Sequence, residues 1–346
     1  MATDTLRVAV AGCHRMLLRD LAHHNFASAF DAVTDTDIVA VFDHGAQTRR
    51  EFAECWRPVW GAIPTFDDYG QMLDEVEPDL LCIATRQTLH ADQIEAAVAA
   101  GVRGILCDKP LATSLTEMDR IVAACAAVPL AFALDRRWYA AYCQLRQQLA
   151  AGRVGEIASL TAYGLPNAIN HGCHWYDAVL GLMGDPEPQW VSGLLNDVAA
   201  EPSDSRARMD PSARLQIGMD NGAVAFVTAG GPKGIGFDIA GSAGRVAIYA
   251  DATVAWHWNE GSDAAQPIPL SSAAEPWPSG PAMVADLVNA VRTGGRTACD
   301  IEQARRATEI GFALHNSSAA EGARVSLPAA DRALRIESFP WGNEPA

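Results

Sequence analysis

Three short stretches carry side chains whose types and spacing suit chemistry. The first is Asp108-Lys109-Pro110, which follows the apolar run Ile105 to Cys107. A lysine ammonium can polarise a hydroxyl or carbonyl, or act as a base once desolvation removes its proton. Pro110 fixes its own φ and restricts the residue before it, so Lys109 is aimed. A solvated loop lysine is the plain alternative. The second stretch runs from Asn170 to Asp177 and contains His171, His174 and Asp177. His174 and Asp177 stand three apart on one predicted helix face, and histidine transfers protons near neutral pH. A histidine serving only packing is equally compatible with the pattern. The third is Asp135-Arg136-Arg137-Trp138, where Arg136, Arg137 and Trp138 could anchor an anionic or polyol substrate, or pair charges between domains.

The elements that must position these residues are legible in order. Leu6 to Ala11, Asp37 to Phe42, Asp79 to Ala84, Ile105 to Cys107 and Pro129 to Leu134 read as strands. Between them lie predicted helices: Met16 to about Ala29, Gln47 to Cys55, Asp67 to Val76, Gln87 to Ala100, and one from Ser114 to Ala127 with Glu117 completing a capping box. Strands alternating with helices imply right-handed crossovers and a parallel sheet. The amino-terminal domain, residues 1–135, is therefore predicted as a Rossmann doubly wound α/β unit. Ligands bind such sheets at the carboxyl ends of the strands, where Asp108 and Lys109 fall.

After Asp135 the pattern changes. Trp138 to Ala151 and His174 to Met183 read as helices, and Ile157 to Tyr163 as a strand. From Arg214 to Trp258, apolar runs are divided at Asn221-Gly222, Gly230-Gly231 and Ser242-Ala243-Gly244, which are hairpin signals. Gly261 to Pro281 reads as a long surface loop, and helices at Ala282 to Val291 and Ile301 to about Ala320 close the chain. Residues 136–346 are predicted as an α+β domain on an open, mostly antiparallel sheet.

The carboxyl ends of the first strands supply candidate nucleotide contacts. In Gly12-Cys13-His14-Arg15-Met16-Leu17 only Gly12 matches a glycine of the dinucleotide fingerprint, which wants glycine at 12, 14 and 17. A helix amino terminus there would still attract phosphate, with His14 and Arg15 as side-chain donors. Asp43 ends the second strand, where a carboxylate binds ribose hydroxyls and disfavours a 2′-phosphate; a helix cap is its alternative. Arg49 and Arg50 are expected to face solvent. Thr85, Arg86, Gln87 and His90 follow the strand Asp79 to Ala84, so they also lie on the ligand rim.

Composition narrows the classes. Lysine plus arginine is 26 against 42 for aspartate plus glutamate, a formal net charge of −16 over 346 residues. So acidic a chain repels nucleic acid and anionic membrane surfaces. No apolar run approaches membrane length, and the amino terminus has no signal-peptide pattern, so a cytoplasmic location is expected. Eight scattered cysteines lack the spacing of a metal site or a disulfide framework, so reduced thiols and no metal are expected.

Taken in order, these residues resemble the Gfo/Idh/MocA oxidoreductases, the group of glucose–fructose oxidoreductase and inositol dehydrogenases. The resemblance is carried by LRVAVAG (6–12), VAVFD (39–43), Thr85 and His90, and most specifically by the run through CDKPLA (107–112). RRW (136–138), GRVGEI (152–157), GCHWYD (172–177), LMGDP (182–186), ARLQIGMDNGAVAFV (213–227), IAGSAGRV (239–246) and SSAAEGARVSLP (317–328) continue it.

The resemblance implies an NAD(P)-binding Rossmann domain, with NAD expected before NADP. It also implies a carboxy-terminal sheet that mediates homodimers or homotetramers, and oxidation of a sugar or polyol hydroxyl, or reduction of the ketone. Lys109 matches the family's active-site lysine, Asp108 its neighbouring acid, His174 the proton-transferring histidine and Asp43 the ribose acid. The chain departs from the pattern at His14, Leu17, Arg86 and Gln87. It departs again at Asn170, four before His174, where many members carry aspartate. An asparagine can orient His174 without lending it charge, and Asp177 could supply that charge. A redox-neutral lyase, glycosidase or epimerase and a cofactor-free binding protein are the alternatives.

Overall fold

A computed structural model describes residues 5–21, 24–196, 210–231, 234–271 and 276–337. The chain divides into two compact units. The first contains β1 (Leu6–Ala11), α1 (Phe26–Asp31), β2 (Thr36–Phe42), α2 (Ala46–Trp60), β3 (Thr65–Phe66), α3 (Tyr69–Val76), β4 (Leu80–Ile83), α4 (His90–Ala99), β5 (Gly104–Cys107), α5 (Leu115–Ala124) and β6 (Leu130–Phe132). Its six strands are parallel in the order β3-β2-β1-β4-β5-β6, the Rossmann order. The central strands are apolar throughout because helices cover both faces of such a sheet.

The second unit contains α6 (Ala140–Ala150), β7 (Ile157–Tyr163), α7 (Gly172–Leu182), β8 (Pro188–Leu195), β9 (Ala213–Met219), β10 (Val224–Thr228), β11 (Gly236–Gly241), β12 (Gly244–Tyr249), β13 (Val254–Asn259) and β14 (Gln266–Pro267). Later in the chain come α8 (Ser279–Thr293), which belongs to the first unit, then α9 (Ile301–Ala319), most of it in the second, and β15 (Val325–Ser326). The nine-stranded sheet has the order β14-β13-β12-β11-β7-β10-β9-β8-β15, antiparallel except where β10 runs parallel to β7. Together the two sheets give the α/β plus α+β architecture that the sequence predicts.

Several expectations need correction. The helix expected from Met16 shrinks to α1, which starts at Phe26 behind an Asn25 cap accepting from Ser28 N at 3.1 Å. Residues 13–21 are turns and bends instead, because distant side chains hold their backbone: Trp56 Nε1 donates to Met16 O at 2.7 Å, and Asn25 Nδ2 to Leu18 O at 2.5 Å. The Glu117 carboxylate accepts from the amide and hydroxyl of Thr113, at 2.9 and 2.6 Å, one position before the expected cap. Gly230-Gly231 does not join a hairpin, since β10 and β11 lie on opposite sides of β7. Finally, residues 276–304 cluster with the first unit, whereas the division at 135/136 assigned them to the second. Trp277, Met283, Val284, Leu287 and Val288 there join one core with Val8, Val10, Phe26, Phe30 and Trp56.

Candidate active site

In the first unit the candidate residues gather at the carboxyl ends of β1, β2, β4 and β5. Gly12 follows β1 with φ +83° and donates its amide to Phe42 O at 2.8 Å. A Cβ there would stand 2.7 Å from the Ala84 carbonyl carbon and oxygen and 2.8 Å from Thr85 N. Only glycine lets the turns after β1 and β4 meet this closely, and the meeting point is the crevice where the strand order reverses. Asp43, at the end of β2, accepts from Cys13 N at 3.0 Å through Oδ2 and from Gly45 N at 2.9 Å through Oδ1. Its half-buried carboxylate is thereby fixed in direction. Burial, then the charge of Asp43, pushes the Cys13 thiol well above the usual cysteine range, so Cys13 stays a neutral donor. Arg49 does not face solvent: it donates to the carbonyl of Asp43 and pairs with Asp67 at 3.3 Å. Arg50 is exposed.

At the end of β5, Asp108 accepts from Lys109 N at 2.9 Å and forms an ion pair with Arg15. Burial works against its charge, yet Arg15 and Lys109 outweigh that and hold the carboxyl below the usual range. Lys109 is half-buried, and the Lys109–Pro110 peptide is cis. Thr85 Oγ1 donates to Gln93 Oε1 at 2.5 Å, while Tyr69 OH donates to Gln93 O at 2.8 Å. Gln87 is half-buried and Arg86 exposed.

Two residues expected to contact nucleotide instead hold the rim from below. Met16 is a core side chain, 1% exposed. His90 is fully buried, with Nε2 3.3 Å from Thr85 O and Nδ1 3.2 Å from Leu111 O and 3.6 Å from Cys107 Sγ. It braces the turn after β4 against the one after β5. Burial lowers its pKa, so the ring is neutral. A neutral ring has one N–H, which donates to the Thr85 or the Leu111 carbonyl, while the Cys107 thiol donates to Asp108 O at 3.3 Å. The expected substrate trio also separates. Arg137 is buried, and Trp138 Nε1 donates to Asp286 at 2.9 Å, leaving Arg136 half-buried on the same 3-10 turn. His14 is exposed.

In the second unit His174 is the third residue of α7, half-buried, with its ring 6.5 Å from that of His171. The turn before it is heavily anchored. Asn167 Oδ1 accepts from His171 N at 2.7 Å, and Tyr176 OH donates to Ala168 O at 2.8 Å. Asp210 Oδ1 and Oδ2 accept from Ile169 N and Asn170 N, at 2.8 and 2.9 Å. Asp210 is fully buried, and His315 of α9 stands 3.7 Å from it. Asn170 and Asp177 are buried beside this turn and within α7. Asn167, Asp210 and Gln93 were not singled out in the sequence. No motif marks Asp210, which acts on backbone forty positions away. Among the described residues, no three His, Cys, Asp or Glu side chains gather as a metal site, and no helix is long and apolar enough to cross a membrane.

A Rossmann sheet with a glycine-only crevice and a fixed carboxylate at the end of β2 defines the class, a dinucleotide-binding α/β protein. Residues 6–134 match the model of an oxidoreductase family with an NAD-binding Rossmann fold, Gfo/Idh/MocA, so this part of the chain is similar to that family. The D-glucoside 3-dehydrogenase of Escherichia coli (strain K12) is 27% identical over 213 residues, 56% of this chain and 58% of that protein. The D-apiose dehydrogenase of Paraburkholderia graminis is 31% identical over 133 residues, 38% and 34% respectively. The chain thus spans between a third and three fifths of these relatives. The inositol 2-dehydrogenase 2 of Saccharopolyspora erythraea is 25% identical over 72% of this chain and 75% of its own. In fold, an oxidoreductase from Agrobacterium radiobacter solved with NAD+, L-tartaric acid and magnesium superposes with a TM-score of 0.77 at 19% identity, covering 94% and 99% of the two chains.

Proposed function

We propose that the chain is an NAD-dependent dehydrogenase acting on a hydroxyl of a sugar, polyol or related small molecule, or reducing the corresponding ketone. The observation that carries this reading is Asp108-Lys109 at the carboxyl end of β5, inside the unit that matches the family. The names of the relatives, which act on glucoside, apiose and inositol, support the substrate class.

The residues present fit a dinucleotide. The crevice at Gly12 admits no Cβ, and Asp43 is oriented by two amides for ribose hydroxyls. Bound NAD supplies the hydride acceptor. Lys109 polarises the substrate C–O bond, with Asp108 beside it as counter-charge. His174 takes the hydroxyl proton, its helix start held by Asn167 and Asp210, with Asn170 and Asp177 as its orienting neighbours. Thr85, Arg86 and Gln87 line the nucleotide rim, and Arg136 is the side chain of its trio left for substrate.

The eight cysteines are all free thiols, in keeping with a cytoplasmic setting. A second copy of the chain would dock on the open face of the second sheet. There the row Gln216, Phe226, Thr161, Asp238, Ala247 and Trp256 crosses five paired strand edges, and Phe226, Trp256 and Val254 are exposed.

Incubation with NAD and a panel of aldoses, glycosides and inositols tests the reading: NADH absorbance is expected to rise with at least one, and more with NAD than with NADP. Turnover of substrate with no net change in absorbance would replace it by the redox-neutral version. No binding of either nucleotide would sink it.

A further inference from the structure

In a standard fingerprint the diphosphate sits against free amides at a helix amino terminus. Here that arrangement is missing. Of the five amides from Gly12 to Met16, three are spent inside the protein: Gly12 N on Phe42 O at 2.8 Å, Cys13 N on Asp43 at 3.0 Å, and Met16 N on Cys13 O at 2.9 Å. The helix that should follow begins only at Phe26 and is six residues long, so it brings no dipole to the turn. A diphosphate at this rim therefore needs a side-chain cation.

We propose that Arg15 is the diphosphate-binding group of this chain and that it works by exchanging partners, leaving Asp108 when the dinucleotide binds. The proposal rests on the NAD reading above. Arg15 lies on the turn itself, its side chain is 29% exposed, and its guanidinium is paired with the Asp108 carboxylate at the neighbouring rim. A planar guanidinium grips phosphate oxygens in pairs as it grips a carboxylate, so one geometry serves both partners. Asp108 is not stranded by the exchange. It keeps the Lys109 amide at 2.9 Å and the charge of the Lys109 ammonium. Occupation of the cofactor site would thus hand Asp108 to Lys109 alone, linking nucleotide binding to the residue proposed to polarise the substrate.

The test is calorimetric titration of the full chain with NAD, ADP-ribose and adenosine, for wild type, Arg15→Gln and Asp108→Asn. Arg15→Gln is expected to weaken NAD and ADP-ribose tenfold or more and to leave adenosine within twofold. Asp108→Asn, by removing the competitor, is expected to tighten NAD several-fold, an outcome that a merely structural ion pair would not give. A second readout is unusually clean, because lysine occurs only at Lys109 and Lys233. Lysine-selective isotope labelling gives two side-chain signals, and the one absent from Lys109→Arg should move on adding NAD to wild type, and in the same direction in Arg15→Gln without NAD. Unchanged NAD affinity in Arg15→Gln, or equal weakening by both substitutions, overturns the exchange while the NAD reading stands. Wild-type protein that binds neither NAD nor NADP overturns both.

Discussion

Asp43 in the first unit and Asp210 in the second do the same thing with opposite consequences. Each carboxylate accepts two backbone amides at 2.8 to 3.0 Å. Asp43 stays half-buried at a strand end, so a ligand can reach its remaining lone pairs, as the proposed ribose contact requires. Asp210 is fully buried, and both of these bonds go to the turn that launches α7 and His174. The same bonding pattern therefore suits the proposed recognition role in one place and a structural role in the other, and solvent access makes the difference.

The comparison can be broken by experiment, and the largest effect belongs to Asp210. Asp210→Ala leaves two buried amides without an acceptor, at about 1–3 kcal/mol each. A loss of roughly 3 kcal/mol in denaturant unfolding is expected, together with most of the turnover. Asp43→Ala leaves the buried Cys13 amide without its acceptor but frees the half-buried Gly45 amide to solvent, and should cost about 1–2 kcal/mol while weakening NAD. Equal stability losses would erase the distinction. Gly12→Ala comes next. Its Cβ would be driven into the Ala84 carbonyl at positive φ, so a destabilisation of about 2 kcal/mol and at least tenfold weaker NAD binding are expected. Retained affinity, measured by calorimetry, would mean the crevice is not the nucleotide site. Lys109→Ala should lower kcat at least tenfold, about 1.4 kcal/mol in the barrier, with an unchanged melting temperature. Normal kinetics in the folded variant would return Lys109 to a solvated loop.

The smallest effect concerns His90. Burial holds its folded pKa below the ordinary value of about 6.5, so below that pH the unfolded chain binds more protons. Its contribution is fully present above about pH 6.5 and is lost as pH falls toward the depressed folded value. His90→Gln should flatten this acid decline between pH 7 and 5, read from melting temperatures. A slope identical to wild type would show that other groups carry it.

The legible parts of this chain were those where local pattern and tertiary role agree. Leu6–Ala11 and Ile157–Tyr163 match their expected bounds because a strand buried in a sheet core must be apolar along its length or alternate. The stretch after Gly12 failed for a definable reason. Leu17, Leu18 and Leu21 have helical spacing, but the chain there is held by Trp56 and Asn25, and Leu18 ends 64% exposed. Lys109 was readable because a strand and a proline frame it. Asp210 and Gln93 were not, since each acts through bonds to residues whose proximity only the fold creates.

The return of residues 276–304 to the first unit has a bearing on how the chain is made. A ribosome that has released residues 1–138 has delivered every strand of the parallel sheet, but not Trp277 and the α8 residues Met283, Leu287 and Val288, which complete the core against Phe26, Phe30 and Trp56. Until some 150 further residues emerge, that face of the nascent sheet is uncovered and offers a surface to chaperones. The nucleotide-binding half is thus begun first in synthesis, yet its core closes only when α8 has emerged.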